Sequence, residues 1–98
     1  MTNHDQASRS SFSLGRTLAT PGCLQALEEA GESASDFLRR HQAKDWGEVC
    51  KEDRRANDDA LVQGTRLLSA YRTKLGVKIW VITEADRSST TILLPEEY

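Results

Sequence analysis

The strongest constraint on the fold is the run Val77-Lys78-Ile79-Trp80-Val81-Ile82-Thr83-Glu84, the most apolar in the chain. It is rich in β-branched and aromatic residues, and a turn separates it from a second apolar run, Thr90-Thr91-Ile92-Leu93-Leu94. Runs of this kind between turn signals read as neighbouring strands of an antiparallel sheet. Alternation puts Val77, Ile79, Val81 and Thr83 on one face and Lys78, Trp80, Ile82 and Glu84 on the other. The first set suits a face covered by helices. The second has an apolar middle between charged ends, the pattern of an interface or of a face covered by some other segment.

The upstream chain must supply that cover. At 98 residues it is one domain with one modest core. Met1 to Ser11 is polar and without periodicity, so a disordered arm is expected there and a single domain over 12–98. Phe12, Leu14 and Leu18 alternate with Ser13, Gly15 and Thr17, the pattern of an edge strand. Thr20-Pro21-Gly22 then starts a short helix: Thr20 caps, Pro21 fits the first helical position, and Gly31 ends it. Ser33 or Ser35 caps a second helix, with Phe37 and Leu38 inward and Arg39, Arg40 and His41 in its last turn. A third, highly charged helix runs from about Glu48 or Glu52 to Gln63, with Val49, Ala56, Ala60 and Leu61 as a thin apolar stripe and Gly64 as its stop. From Thr65 to Arg72 the period returns to two, with Leu67, Ser69 and Tyr71 on one side and Leu68 and Ala70 on the other. The expected fold is α+β: a small antiparallel sheet, made of the N-terminal edge strand and a C-terminal three-stranded meander, packed on two or three short helices.

Charge narrows the function classes. Thirteen basic residues against fifteen acidic give a net charge of -2, which argues against a nucleic-acid binder that relies on summed positive charge. No apolar run is long enough to span a membrane, and the opening residues hold no signal-peptide core, so a cytoplasmic, reduced setting without a membrane partner is expected. The glycines follow no phosphate-binding pattern, and Cys23, His41 and Cys50 do not have zinc-site spacing. No cofactor or metal is expected, and both cysteines read as packing residues.

Three groups of residues could carry function. His41, Asp45 and Trp46 could form an acid–base site, with the carboxylate orienting the imidazole; equally, His41 caps its helix, Asp45 caps the next one, and Trp46 fills the core between them. Asp86 and Arg87, beside Glu84, could present a charged tip to a partner, although Asp followed by Ser88 and Ser89 is also ordinary turn chemistry. Trp80 and Ile82 form an aromatic patch on the second face of the sheet, an anchor for a partner unless the arm or the Pro95–Tyr98 tail folds across it.

Several stretches carry a family resemblance: Leu18-Ala19-Thr20-Pro21-Gly22, Arg40-His41, Asp45-Trp46-Gly47, Glu52-Asp53-Arg54-Arg55-Ala56-Asn57 with Ala60-Leu61, and above all Trp80 to Thr91 with Leu93 to Tyr98. Together they resemble small bacterial and plasmid-borne proteins often labelled "type I restriction endonuclease subunit M" or "plasmid-related protein". An adenine methylase needs a cofactor-binding glycine motif and an Asn/Asp-Pro-Pro-aromatic motif, and this chain has neither. What the resemblance implies is a mobile-element setting and no established activity. The order strand, helices, three-stranded meander also resembles RelE/ParE-type toxins, which implies a ribonuclease or translation inhibitor working through His41, Asp45, Arg87 and Tyr98. The leading expectation is a non-enzymatic interaction module that binds another protein, or itself as a homodimer, through Trp80, Ile82, Asp86, Arg87 and Tyr98, and so modulates a host defence or restriction system.

Overall fold

A computed structural model describes residues 12–98, and the expected disordered arm lies outside the described residues. The elements are β1 (Arg16–Ala19), α1 (Pro21–Ala30), α2 (Ala34–Gln42), α3 (Lys51–Gln63), β2 (Leu67–Arg72), β3 (Lys78–Thr83) and β4 (Ser89–Leu93), followed by a 3-10 turn at Pro95–Glu97. The α+β expectation holds, and most boundaries fall where local chemistry sets them. Thr20 stays extended, and its hydroxyl accepts the Cys23 N–H at 3.4 Å with Pro21 in the first turn. Gly31 closes α1 in the left-handed conformation and donates its N–H to the Glu28 carbonyl at 3.1 Å. Ser33 caps α2 through the Ser35 N–H at 3.2 Å.

The sheet order is β1-β4-β3-β2. The β2–β3–β4 meander is antiparallel, whereas β1 pairs with β4 in parallel, from Arg16 opposite Ser89 to Ala19 opposite Ile92. The parallel edge departs from a purely antiparallel sheet, and the cause is the helical segment. Three helices carry the chain across one face and return it at the far edge in the direction of β1, so two hairpin reversals leave β4 running that way too.

Alternation sorts the side chains as the pleat requires. Tyr71, Ile79, Val81 and Ile92 face α1 and α2 and form the main core with Cys23, Leu27 and Phe37. Trp46, Ala60 and Leu67 form a second cluster, flanked by Phe12, Val49 and Leu61. Phe12 therefore packs beside Trp46, and the first strand begins four residues later than the hydrophobic alternation indicates. Among the described residues no helix is long and apolar enough to cross a membrane.

The outer edge of β2 is closed by the chain itself. The Asn57 carboxamide donates to the Leu68 carbonyl at 2.7 Å and accepts the Leu68 N–H at 3.0 Å. Two residues on, the Ala70 N–H donates to the Trp46 carbonyl at 3.0 Å, and Glu48 N–H donates to the Ala70 carbonyl at 2.6 Å. Gly47, between them, has a φ of 77°, and a Cβ there would lie 2.0 Å from the Ala70 oxygen. The inward residues of α3 are thus Asn57, 4% exposed, and Ala60, while Ala56, expected in the apolar stripe, faces solvent. Substitution Asn57→Ala removes both bonds and leaves a strand N–H and carbonyl unpaired. We expect a loss of about 2–3 kcal/mol in urea denaturation followed by circular dichroism, against less than about 0.5 kcal/mol for a solvated helix position.

Candidate functional site

His41 is fully buried, with 0% exposure, at the end of α2 that meets the sheet. Its Nδ1 lies 2.5 Å from the Ser69 hydroxyl of β2, and its Nε2 lies 2.9 Å from the Thr83 hydroxyl of β3. Thr83 continues to Thr90 of β4 at 2.7 Å, and Thr90 donates to the Leu14 carbonyl at 2.8 Å. The rings of Phe12 and Trp46 stand edge-on to the imidazole, 5.3 and 5.6 Å away between centroids.

From Leu14 back to the ring the proton order is fixed. The Leu14 carbonyl can only accept, so the single hydroxyl proton of Thr90 is used there. Thr83 must then donate to Thr90, which leaves Thr83 free only to accept, from Nε2–H of His41. The geometry thus places a proton on Nε2, while Nδ1 faces a Ser69 hydroxyl that can donate to a neutral ring or accept from a charged one. Electrostatics favours the neutral ring, with Nδ1 accepting from Ser69: burial, and next the Arg87 guanidinium, push the His41 pKa down from its ordinary value to about 4.

Asp45 does not take part. Its carboxylate accepts from Arg40 Nε at 2.7 Å and from the Gly47 N–H at 3.3 Å. The expected orientation of the imidazole by Asp45 is therefore replaced by Ser69 and Thr83, and Asp45 caps a turn and not the next helix, which begins at Lys51. Trp46 does fill the core, 4% exposed, with its indole N–H 3.2 Å from the Asp58 carboxylate. Nor is His41 a cationic helix cap, because it is neutral and turned inward. The cysteines divide: Cys23 is buried, its thiol pKa raised to about 11 by burial and by the Glu97 charge, whereas Cys50 is exposed and does not pack.

The hairpin tip is also put to structural use. Arg87, at a φ of 62°, donates to the carbonyls of Thr65 at 2.7 Å, Glu84 at 3.0 Å, Ala85 at 3.2 Å and Ala60 at 3.0 Å. It caps the C-terminal end of α3 with a cation and is drawn back from the surface. Asp86 accepts the Ser88 N–H at 3.0 Å in an Asx turn, and the bonds from Ser88 hold its carboxyl below the usual range. The four residues of the toxin-like reading have separate engagements: His41 is sealed in the core, Asp45 bonds Arg40, Arg87 bonds backbone carbonyls and Tyr98 lies on the opposite face.

That opposite face, bearing Lys78, Trp80 and Ile82, is the second candidate. Trp80 is half-buried, and the ring of Tyr98 packs edge-on against it at 5.9 Å. Tyr98 is itself 67% exposed, and its hydroxyl accepts from the Arg66 guanidinium at 2.6 Å. The tail is positioned by Glu97, whose carboxylate accepts from the Thr20 hydroxyl, from Gly22 N–H at 3.0 Å and from Leu94 N–H at 3.0 Å. Of the two alternatives for this face, a bare patch or one crossed by the Pro95–Tyr98 tail, the tail does pack against Trp80, and Ile82 is only 5% exposed, between Leu68 and Thr91 in the strand register. Arg66 joins the patch without any signal from periodicity, because its role depends on a tyrosine thirty-two residues away. Among the described residues no group of three or more His, Cys, Asp or Glu side chains could hold a metal ion. No protein-family model, curated protein or solved structure matches this chain.

The His41 assignment has a pH signature. Its folded pKa lies below its unfolded one, so the unfolded chain binds the extra proton, and stability is full above about pH 6.5 and falls as the pH drops towards about 4. Between pH 7 and pH 5 the loss should be about 2 kcal/mol in chemical denaturation. His41→Gln, which hydrogen-bonds but does not titrate, should lack that component. Equal losses in both proteins would show that another group is responsible.

Proposed function

We propose that this chain is a non-enzymatic protein-interaction module whose contact surface is the helix-free face of the sheet around Trp80 and Tyr98. One observation carries the reading. The helices cover one face of a four-stranded sheet, and on the other a half-buried Trp80 supports an exposed Tyr98 held by Arg66. Tyr, Trp and Arg are the residue types that supply most binding energy at interfaces, because they offer large rigid area together with a polar handle. Here the tyrosine is fixed before any partner arrives, which lowers the entropy cost of association. The burial of His41 and the engagement of Arg87 with carbonyls favour this reading over a catalytic one, since neither group meets solvent in a cleft with a second reactive side chain. The setting, on the family resemblance, is a mobile element, and the partner is a component of a host defence or restriction system.

The experiment is affinity capture of the tagged chain from its host with quantitative mass spectrometry, comparing wild type, Tyr98→Ala and Leu75→Ala. Leu75 is 64% exposed in the β2–β3 turn and serves as the surface control. One protein should be recovered near stoichiometry by wild type and Leu75→Ala, and at least about tenfold less by Tyr98→Ala. Loss of the partner with Leu75→Ala but not with Tyr98→Ala, or no stoichiometric partner at all, would refute the assignment.

A further inference from the structure

The two edges of the sheet are treated differently. At β2 the outward backbone groups of Leu68 and Ala70 are taken by Asn57, Trp46 and Glu48. At β1 the Arg16 N–H bonds to Ser88 at 3.0 Å and the Thr20 N–H to Ile92 at 3.1 Å, so Arg16, Leu18 and Thr20 turn towards β4. By alternation Thr17 and Ala19 direct their N–H and carbonyl groups outward, and no other described segment takes them. Arg16, Thr17 and Leu18 are exposed, and among the described residues no proline, bulge or covering segment blunts this edge.

We propose that the occupant of this edge is β1 of a second copy of the chain, running antiparallel about a two-fold axis through Leu18. Three features select that partner and register. An antiparallel pairing of Thr17 with Ala19 of the second copy uses all the outward groups of both strands in four hydrogen bonds, and a two-fold axis repeats it without remainder. The axis sets Leu18, 43% exposed, against its own counterpart as a directly opposed, non-hydrogen-bonded pair. The same register places Arg16 opposite Thr20 of the second copy, whose hydroxyl is bound to the Glu97 carboxylate. A cation at one end of β1 and an anion at the other then meet twice, once on each side of the axis. A parallel strand at this edge would instead bring Arg16 alongside Arg16. The product is a continuous eight-stranded sheet, and with so short a seam it is a weak dimer, dissociating on the order of tens of micromolar. The proposal uses a different surface from Trp80 and Tyr98 and does not depend on them.

Sedimentation velocity over a wide concentration range should show a reversible monomer–dimer equilibrium. Leu18→Lys, which sets two ammonium groups against each other on a solvent-facing position, should raise the dissociation constant at least about tenfold. For register, Leu18→Cys in a Cys50→Ser background places two thiols on Cα atoms about 4.5 Å apart, within disulfide span. It should cross-link under mild oxidation at least about tenfold faster than Val62→Cys in the same background, because the paired thiols are held at high effective concentration. Val62 is 87% exposed on α3 and reports random collision. A monomer at every concentration, a dimer unaffected by Leu18→Lys, or equal cross-linking at the two cysteines overturns the proposal.

Discussion

The fold is fastened at His41. One imidazole joins α2 to β2 and β3, and through Thr83 and Thr90 it reaches β4 and the entry of the chain at Leu14. A buried polar group that loses its partner costs about 1–3 kcal/mol, whereas the net gain from each bond is nearer 1 kcal/mol. The interaction therefore acts less as glue than as a condition, since any packing that separates α2 from the β2–β3 pair strands several groups at once. The apolar core beside it tolerates small shifts, but the hydroxyls and the ring do not, and they fix how the helices seat on the sheet.

Seating the helices on one face determines what happens on the other. Among the described residues no α-helix lies over Trp80 and its neighbours; the Pro95–Tyr98 segment does instead, folded back by Glu97 and setting Tyr98 against the indole. The same carboxylate sits on the first turn of α1 through Thr20 and Gly22, so the positions of the helix start and of the tail are coupled. A perturbation of the α1 start or of the Glu97 segment is felt at the aromatic patch, although the two are 75 residues or more apart.

Much of this was legible in the sequence, for definite reasons. Thr20-Pro21 and Gly31, Ser33, and Gly64 marked helix ends because capping is local chemistry, settled within a turn of the backbone. Strand parity in Leu67–Arg72 and Lys78–Thr83 was readable because the pleat has a fixed period. Polar partnerships across the fold left no such trace. Nothing periodic distinguishes Asn57 from its charged neighbours in α3, yet it closes a strand edge eleven residues away. Arg87 read as a solvent-facing tip because its acceptors are main-chain carbonyls, which carry no residue-type signal. His41 was singled out, but with Asp45 as its partner, because proximity in sequence outweighed the hydroxyls of Ser69 and Thr83. The parallel pairing of β1 escaped for the same reason: its direction is set by the whole helical crossover and not by its own four residues.

The pairing of β1 with β4 has a consequence for how the chain is made. The first strand leaves the ribosome some seventy residues ahead of the one it pairs with, since Thr17 sits opposite Thr90. During that interval it lacks its sheet neighbour, and the threonine that will complete the link from His41 to Leu14 has not been synthesised. Helices α1 and α2 can form early on local signals, but the sheet can only be assembled from its C-terminal side, with β4 closing it last. A nascent chain of this design is most exposed to wrong partners at its N-terminal strand, and for the longest time, which makes that segment the natural point for a chaperone to hold or for misassembly to begin.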